Sequence, residues 1–146
     1  MKTALLDLNI LMALLWPAHE HHDAAHRWAA ARRRAGWATC TLTQLGFVRL
    51  VSNPSFSKEA LSPARAVVLL AENLAHPAHE FWSEDVPLPE AVAGMEGSLQ
   101  GYRQVTDLYL LSLAHRRKGV LATFDRGIRT LAGDDLKAAL EVIPSR

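Results

Sequence analysis

Three aspartates lie where apolar segments of the chain begin or end, and this placement suggests metal chemistry. Asp7 and Asp125 each follow a short apolar run, and Asp107 opens a helical-looking stretch. Burying a carboxylate is costly, so acids at the ends of buried strands favour a functional site. If the strands are parallel neighbours, their carboxyl ends share one edge and distant acids can meet there. We therefore expect a cleft that binds a cation.

Hard divalent cations prefer oxygen ligands, and Mg²⁺ is typically held by one or two carboxylates together with water. The three aspartates fit that chemistry. Without a metal they would repel one another, so at least one should titrate above its usual pKa, and metal binding should release protons. The alternative is that each acid only caps a helix, because aspartate is favoured at a helix start. Spacing alone does not separate the two interpretations.

Short apolar runs alternate with helical patterns along the chain, which is typical of a parallel sheet covered on both faces. We therefore predict one α/β/α domain over residues 1–146. The predicted strands are residues 3–6, 37–41, 80–82, 120–124 and 140–143. The predicted helices are residues 8–15, 19–34, 44–51, 63–74, 107–114 and 126–131, with one short helix in the irregular segment 86–103.

Composition narrows the function classes. The net charge is +1 and the pI near 8.0, so the chain does not hold nucleic acid through a strong overall basic excess. The single cysteine, Cys40, excludes an internal disulfide and fits core filling in a reducing cytoplasm. No apolar stretch is long enough to predict a membrane span, and we interpret the N-terminus as mature protein rather than a signal peptide.

Five segments resemble the PIN-domain family, and more closely its VapC toxins. They are LLDLNIL at 5–11, WPAH at 16–19, LTQLGFVR at 42–49, VTDLYL at 105–110 and ATFDRG at 122–127. Their order and spacing extend the resemblance over nearly the whole chain. The resemblance implies a three-layer α/β/α PIN-like fold with a central parallel sheet.

The same resemblance implies a function. It is that of a Mg²⁺- or Mn²⁺-dependent endoribonuclease toxin of a type II toxin–antitoxin system, which cleaves tRNA or ribosomal RNA to a 5′-phosphate and a 3′-hydroxyl. Asp7, Asp107 and Asp125 would be the metal ligands. The implied partners are RNA, a second copy in a homodimer, and a small VapB-type antitoxin that inserts a basic side chain into the acidic cleft.

Gln44 departs from the family pattern, which has a glutamate there. The amide keeps the shape and one acceptor oxygen but loses the negative charge, so metal affinity should fall. Gln44 is thus a weakened fourth member of the catalytic set, or the chain is an impaired PIN module that binds antitoxin or RNA without cutting. A phosphatase with Asp7 as nucleophile is a weaker alternative, because Asn9 stands where a second acid would be needed.

Several polar residues near the acids have supporting interpretations. Asn9 and Thr123 lie two residues from Asp7 and Asp125 and could orient carboxylates or water. Arg126 could contact phosphate. Two basic clusters, residues 116–118 and the pair Arg126 and Arg129, could flank the cleft, whereas residues 32–34 end a helix whose dipole favours cations. Caps are expected from Thr41 or Thr43 and from Thr106.

Two predicted helices each carry a stripe of similar side chains, one of histidines and one of apolar residues. His19, His22 and His26 share one predicted helix face, which suggests a zinc site, a solvated, weakly basic surface or a surface that faces RNA. Val67, Leu70 and Leu74 form an apolar stripe that could dock the antitoxin, although we expect these residues to be core.

Overall fold

The computed structural model describes residues 1–145 and contains a five-stranded, fully parallel sheet. The strands lie in the order β3-β2-β1-β4-β5. Their bounds are β1 Ala4–Leu6, β2 Trp37–Thr39, β3 His79–Phe81, β4 Val120–Thr123 and β5 Leu140–Val142. This architecture confirms the predicted three-layer α/β/α class.

Seven α-helices lie within residues 1–145, together with short 3₁₀ helices at Glu96–Ser98 and Lys137–Ala139. The helices are α1 Leu8–Leu15, α2 His22–Ala31, α3 Thr41–Val51, α4 Pro63–Leu74, α5 Leu88–Ala91, α6 Gln104–Arg116 and α7 Ile128–Leu136. None of the described helices has the length and apolar character needed to cross a bilayer.

Alternate strand residues point to opposite faces of the sheet, and each face has its own core. Leu5 and Leu121 pack with residues of α5, α6 and α7. Leu6 and Ala122 pack with residues of α1, α2, α3 and α4. The sheet is therefore buried on both sides, which is the normal condition for parallel strands.

The strand register brings three strand ends to one edge. Leu6 pairs with Ala122, and the Asp7 N–H donates to the Ala122 carbonyl at 2.9 Å, so Asp7 lies beside Thr123. Leu5 pairs with Ala38 on the other side of β1. The carboxyl ends of β2, β1 and β4 are consequently adjacent, and we call this the carboxyl edge.

Helix α2 is shorter than the predicted 19–34, because both ends take other structures. The His21 N–H donates to the His19 ring at 3.0 Å in a turn before the helix. Arg32 lies beyond the helix and is buried, where it pairs with Glu141 at 2.8 Å and donates to the Lys2 carbonyl. Arg32 therefore links α2 to β5 and the start of β1, and the prediction of a solvated helix end is wrong for this residue.

Helix α3 begins at Thr41, three residues before the prediction, and neither threonine is its cap residue. Cys40 is the N-cap, and the Thr43 hydroxyl accepts from its N–H at 3.2 Å. The Glu84 carboxylate accepts from the N–H groups of Thr41 at 3.1 Å and Leu42 at 2.7 Å. Free N–H groups at this helix start are thus satisfied from a distant segment.

Two later helices also differ from prediction. Helix α6 begins at Gln104, so Thr106 lies inside it and does not cap it. Helix α7 continues to Leu136 through a kink at Gly133, whose φ of 58° lies in the left-handed region that favours glycine. Cys40 is fully buried and burial raises the pKa of its thiol, which confirms its interpretation as core filling.

Candidate metal site at the carboxyl edge

Asp7 occupies the turn between β1 and α1 and is 8% exposed. One carboxylate oxygen, Oδ1, accepts from the Leu8 N–H at 2.8 Å and so caps α1. The other, Oδ2, accepts from the Thr123 hydroxyl at 2.7 Å. Burial raises the pKa of Asp7, and the charge of Asp125 adds to the rise. Asp7 is therefore both a helix cap and a buried acid facing a second carboxylate.

Asp125 follows β4 in an exposed turn. Its N–H donates to the Thr123 hydroxyl oxygen at 3.0 Å, and its Oδ1 accepts from the Gly127 N–H at 2.8 Å. The Thr123 hydroxyl thus bridges the carboxylate of Asp7 and the backbone of Asp125. This bridge fixes the relative positions of two of the three acids.

Asp107 lies in the first turn of α6 and is half-buried. Its carboxylate accepts no hydrogen bond from any residue in the range 1–145. Burial, together with the negative charges of Asp7 and Asp125, raises its pKa to about 6. The three aspartates therefore act electrostatically on one another, as expected for acids that share a cleft.

The donor chemistry of this edge fits a partly hydrated hard cation. Within residues 1–145, the His, Cys, Asp and Glu side chains do not form a ready-made group of three around one metal position. Such a group is not required, since Mg²⁺ commonly takes one or two carboxylates and keeps several waters. Asp107, with a raised pKa and no hydrogen-bond donor, is an acid that a cation would stabilise in its charged form.

Asn9 supports the bridge made by Thr123. Its Nδ2 donates to the Thr123 oxygen at 3.1 Å, and its Oδ1 accepts from the Phe124 N–H at 3.2 Å. Thr123 is fully buried, and its single proton goes to Asp7. Asn9 must therefore present its NH₂ group to Thr123, which leaves the carboxylate as the only acceptor of the hydroxyl proton.

Gln44 lies in the first turn of α3, immediately after β2, at the same edge. Its Nε2 donates to the Thr39 hydroxyl oxygen at 3.0 Å. Among residues 1–145 it makes no hydrogen bond to Asp7, Asp107 or Asp125. Gln44 thus belongs to the carboxyl edge but to a separate hydrogen-bond network.

The two predicted basic flanks have different positions. Arg126 and Arg129 are both exposed; Arg126 follows Asp125 directly, and Arg129 lies at the start of α7. Arg116 lies nine residues after Asp107 on α6, or about 14 Å along the helix. Arg116 donates to the Glu90 carbonyl of α5 at 3.2 Å, and Arg117 donates to the Ser83 carbonyl at 3.0 Å. The prediction that residues 116–118 flank the cleft is therefore wrong, because they end the helix that Asp107 begins.

The histidines satisfy backbone carbonyls. A ring nitrogen of His22 bonds the Ala13 carbonyl at 2.8 Å, and one of His26 bonds the Leu14 carbonyl at 3.0 Å. Both carbonyls belong to the last turn of α1, where no intrahelical donor remains. Over residues 1–145 no zinc-type cluster exists, so the zinc interpretation is wrong. His26 is exposed and His19 and His22 are partly exposed, which agrees with the solvated-face interpretation, and the rings of His22 and His26 also cap α1.

Sequence reasoning missed Glu84, Thr39 and His79, all of which position residues around α3. Thr39 and His79 are forty residues apart and meet only because β2 and β3 are neighbours. The one available signal was that Thr39 is a polar residue inside a predicted buried strand.

Comparisons with known proteins agree with this architecture. Residues 4–134 match the model of the PIN domain. Two curated relatives from Mycobacterium tuberculosis are Ribonuclease VapC39, 43% identical over 94% of this chain and 99% of its own, and Ribonuclease VapC38, 43% identical over 96% and 97%. Ribonuclease VapC44 from the same organism is 41% identical over 88% of this chain and 90% of its own.

A solved structure supports the fold independently. The crystal structure of VapBC2 from Rickettsia felis, bound to a DNA fragment from their promoter, contains a chain that matches with a TM-score of 0.69. The match covers 97% of this chain and 99% of that one at 15% sequence identity. With the family match and the curated relatives, these findings show that the chain belongs to the PIN-domain family, in its VapC ribonuclease group.

Proposed function

We propose that this chain is a Mg²⁺- or Mn²⁺-dependent endoribonuclease toxin of a type II toxin–antitoxin system that hydrolyses phosphodiester bonds in tRNA or ribosomal RNA. The observation that carries the proposal is the electrostatic coupling of Asp7, Asp107 and Asp125 at one sheet edge. The curated relatives named as ribonucleases support the reaction class.

In this proposal Asp7, Asp107 and Asp125 hold the cation. When bound, the cation neutralises phosphodiester charge and makes a water molecule acidic enough to act as a nucleophile. Thr123 keeps the carboxylate of Asp7 in place by a hydrogen bond and anchors the backbone of Asp125. Asp107, whose pKa is raised to about 6, is the acid whose charged form a bound cation would stabilise most.

Arg126 is proposed to contact the RNA backbone. Its side chain is exposed, forms no ion pair within the described range, and follows Asp125 directly. A guanidinium in this position would attract phosphate toward the acids and offset their negative charge.

The proposed partners are a second copy of the chain and a small VapB-type antitoxin. The predicted core stripe on α4 is only partly buried: Leu70 is 7% exposed, whereas Val67 is 52% exposed. Val68, also on α4, is 57% exposed and borders a groove lined by Trp16 and Leu69. The expectation that this face is core is thus wrong for Val67, and the exposed apolar surface supports antitoxin docking on the helices.

RNA cleavage by purified protein with Mn²⁺ tests the enzymatic proposal. We expect Asp7→Asn to reduce cleavage by at least about 100-fold, because one carboxylate is removed from the proposed cation site. Asp134→Asn is the matched control: it also removes one negative charge, but its 98% exposed side chain lies on α7, where its ion-pair partner among residues 1–145 is Lys137. Equal cleavage by the wild type and Asp7→Asn would contradict the proposal.

The second candidate is an impaired PIN module that binds antitoxin or RNA without cutting. It is favoured by the neutral amide of Gln44, which adds no negative charge to the edge. In the same assay this candidate predicts background cleavage for every variant, together with RNA retention by the wild type in a filter-binding measurement. Retention without cleavage would replace the enzymatic proposal with this one.

A further inference from the structure

Gln44, Thr39 and His79 form a chain of hydrogen bonds whose direction can be assigned from one end. The Nδ1 atom of His79 lies 3.1 Å from the Leu74 carbonyl, which can only accept, so Nδ1 carries a proton. Burial lowers the pKa of His79, which favours the neutral ring. Its Nε2 is then an unprotonated acceptor.

The next link follows from this tautomer. The Thr39 oxygen lies 2.8 Å from Nε2 of His79, and the acceptor there requires Thr39 to give its only proton to the ring. Thr39 is fully buried, so its remaining lone pairs need donors from the protein. Gln44 supplies one at 3.0 Å.

The group that Gln44 turns toward Thr39 must therefore be its NH₂. An amide oxygen in this position would find no donor, because Thr39 has no second proton to offer. The amide oxygen of Gln44 is then directed away from Thr39, and it accepts no hydrogen bond from residues 1–145.

We propose that Thr39 and His79 are positioning residues that select a hydrogen-bond donor at position 44 and hold the Gln44 amide with its oxygen free at the carboxyl edge. A glutamate here would place a carboxylate oxygen against the Thr39 lone pair. Gln44 is thus matched to its buried neighbours. A glutamate would fit only if the Thr39 proton pointed toward position 44 instead of toward His79. Any role of the Gln44 amide oxygen in RNA cleavage rests on the proposed function. The selection of a hydrogen-bond donor at position 44 does not.

A double-mutant cycle on thermal stability tests the selection directly. Its variants are Gln44→Glu, His79→Leu and the combination, measured at about pH 8, where histidine is neutral. Alone, Gln44→Glu should lower Tm by about 3 °C or more. With His79→Leu, the Thr39 proton is free to rotate toward the introduced carboxylate, so the same substitution should lower Tm by less than about 1 °C.

The cycle removes the main competing effects. The added negative charge near the aspartates is the same in both backgrounds and cancels. The lost bond to Leu74 also cancels, and leucine retains apolar packing against Trp37, whose ring lies 4.9 Å from that of His79. Additive Tm changes would overturn the proposal, since they would show that His79 does not set the direction of the Thr39 proton.

A matched control comes from Gln104, which also lies in the first turn of a helix near the acids. Its Oε1 accepts from the Gln100 N–H at 2.7 Å, so a carboxylate can replace the amide without losing this bond. Gln104→Glu should show no coupling to His79→Leu.

The tautomer of His79 provides a second readout that does not depend on activity or on variant stability. Nitrogen chemical shifts of the ring should show a protonated Nδ1 and an unprotonated Nε2 in the wild type. A protonated Nε2 would contradict the proposal even if the cycle could not be completed. Because neither readout uses RNA or metal, failure here is distinguishable from failure of the ribonuclease proposal.

Discussion

Two threonines at the carboxyl edge have matching environments but opposite effects on their neighbours. Thr123 ends β4 and Thr39 ends β2, and the two strands flank β1. Both side chains are fully buried, and both accept from the NH₂ group of a carboxamide, Asn9 at 3.1 Å and Gln44 at 3.0 Å. Thr123 then donates to a carboxylate, whereas Thr39 donates to a histidine.

The difference shows how one hydroxyl proton decides which side chain fits beside it. On the β4 side, the proton stabilises the charged form of Asp7, and burial opposes this by raising its pKa. On the β2 side, the proton points away from the edge, so a neutral amide is the better neighbour. Negative charge is therefore concentrated around β1 and β4, and Gln44 adds a polar group without adding repulsion.

Removal of the Thr123 hydroxyl should cause the largest loss of RNA cleavage. Thr123→Val leaves Oδ2 of Asp7 without its donor and the Asp125 N–H without its acceptor, and we expect RNA cleavage to fall about 100-fold. Thr123→Ser keeps the hydroxyl and should retain most activity. Cleavage rates at saturating Mn²⁺ measure the effect, with Tm as a check that both variants fold. Equal losses in the two variants would show that volume, not the hydroxyl, matters.

Changing pH should separate the charged side from the neutral side. Below the Asp107 pKa of about 6, protons compete with the cation, so Mn²⁺ affinity should fall about tenfold per pH unit. The folding stability of the metal-free protein should change with pH in the opposite direction to the Mn²⁺ affinity. Its folded state binds the Asp107 proton more tightly than the unfolded state, whose pKa is near 3.8, so stability should decrease as pH rises through this interval.

Calorimetric Mn²⁺ titration and Tm measured against pH in chelator check the two halves of this prediction. A metal-free Tm that rises steadily between about pH 4 and pH 6 would contradict this prediction, because Asp107 would then not be the dominant titrating group.

Asn9→Ala tests whether a carboxamide is needed to orient a threonine hydroxyl at this edge. It removes the donor to Thr123 and the acceptor for the Phe124 N–H. With only the Asp125 N–H left as a donor to its oxygen, the Thr123 hydroxyl should hold Asp7 less firmly, and cleavage should fall roughly 10-fold. Unfolding in urea should show a loss of about 1–2 kcal/mol. Unchanged cleavage in a folded variant would mean that the Asp125 N–H alone is enough to direct the Thr123 proton.

Arg126→Ala should have the smallest effect, since this side chain belongs to neither network. We expect RNA binding to weaken about threefold and the slope of log affinity against log salt to become shallower by about 0.7. Arg34→Ala, an exposed arginine before β2, is the control. Identical salt slopes for the two variants would exclude a specific phosphate contact at Arg126.

Local signals predicted part of the fold closely. The bounds of α1 and α4 match the sequence prediction because an aspartate cap opens the first, and Ser62 and Pro63 open the second. The start of α3 was missed because Glu84, more than forty residues away, satisfies its free N–H groups. The burial of Arg32 was missed because no local pattern shows that Glu141 lies beside it.

In the candidate site, too, the sequence predicted some features and missed others. The placement of Asp7 and Asp125 followed from the apolar runs that precede them, since parallel strands end at one edge. The partners of Gln44 did not, because Thr39 and His79 meet only through the pairing of β2 with β3. Residue types at strand ends are thus readable from sequence, whereas the direction of each hydrogen bond depends on tertiary neighbours.

We propose that Asp7, Asp107 and Asp125 together bind one divalent cation. Calorimetric titration of Mn²⁺ into the wild type and the three single Asp→Asn variants is the decisive experiment, with Asp134→Asn as the charge control. We expect one site per chain in the wild type and the control, and an affinity at least about 10-fold weaker in each of the three variants. Wild-type affinity in any two of the three would contradict the claim.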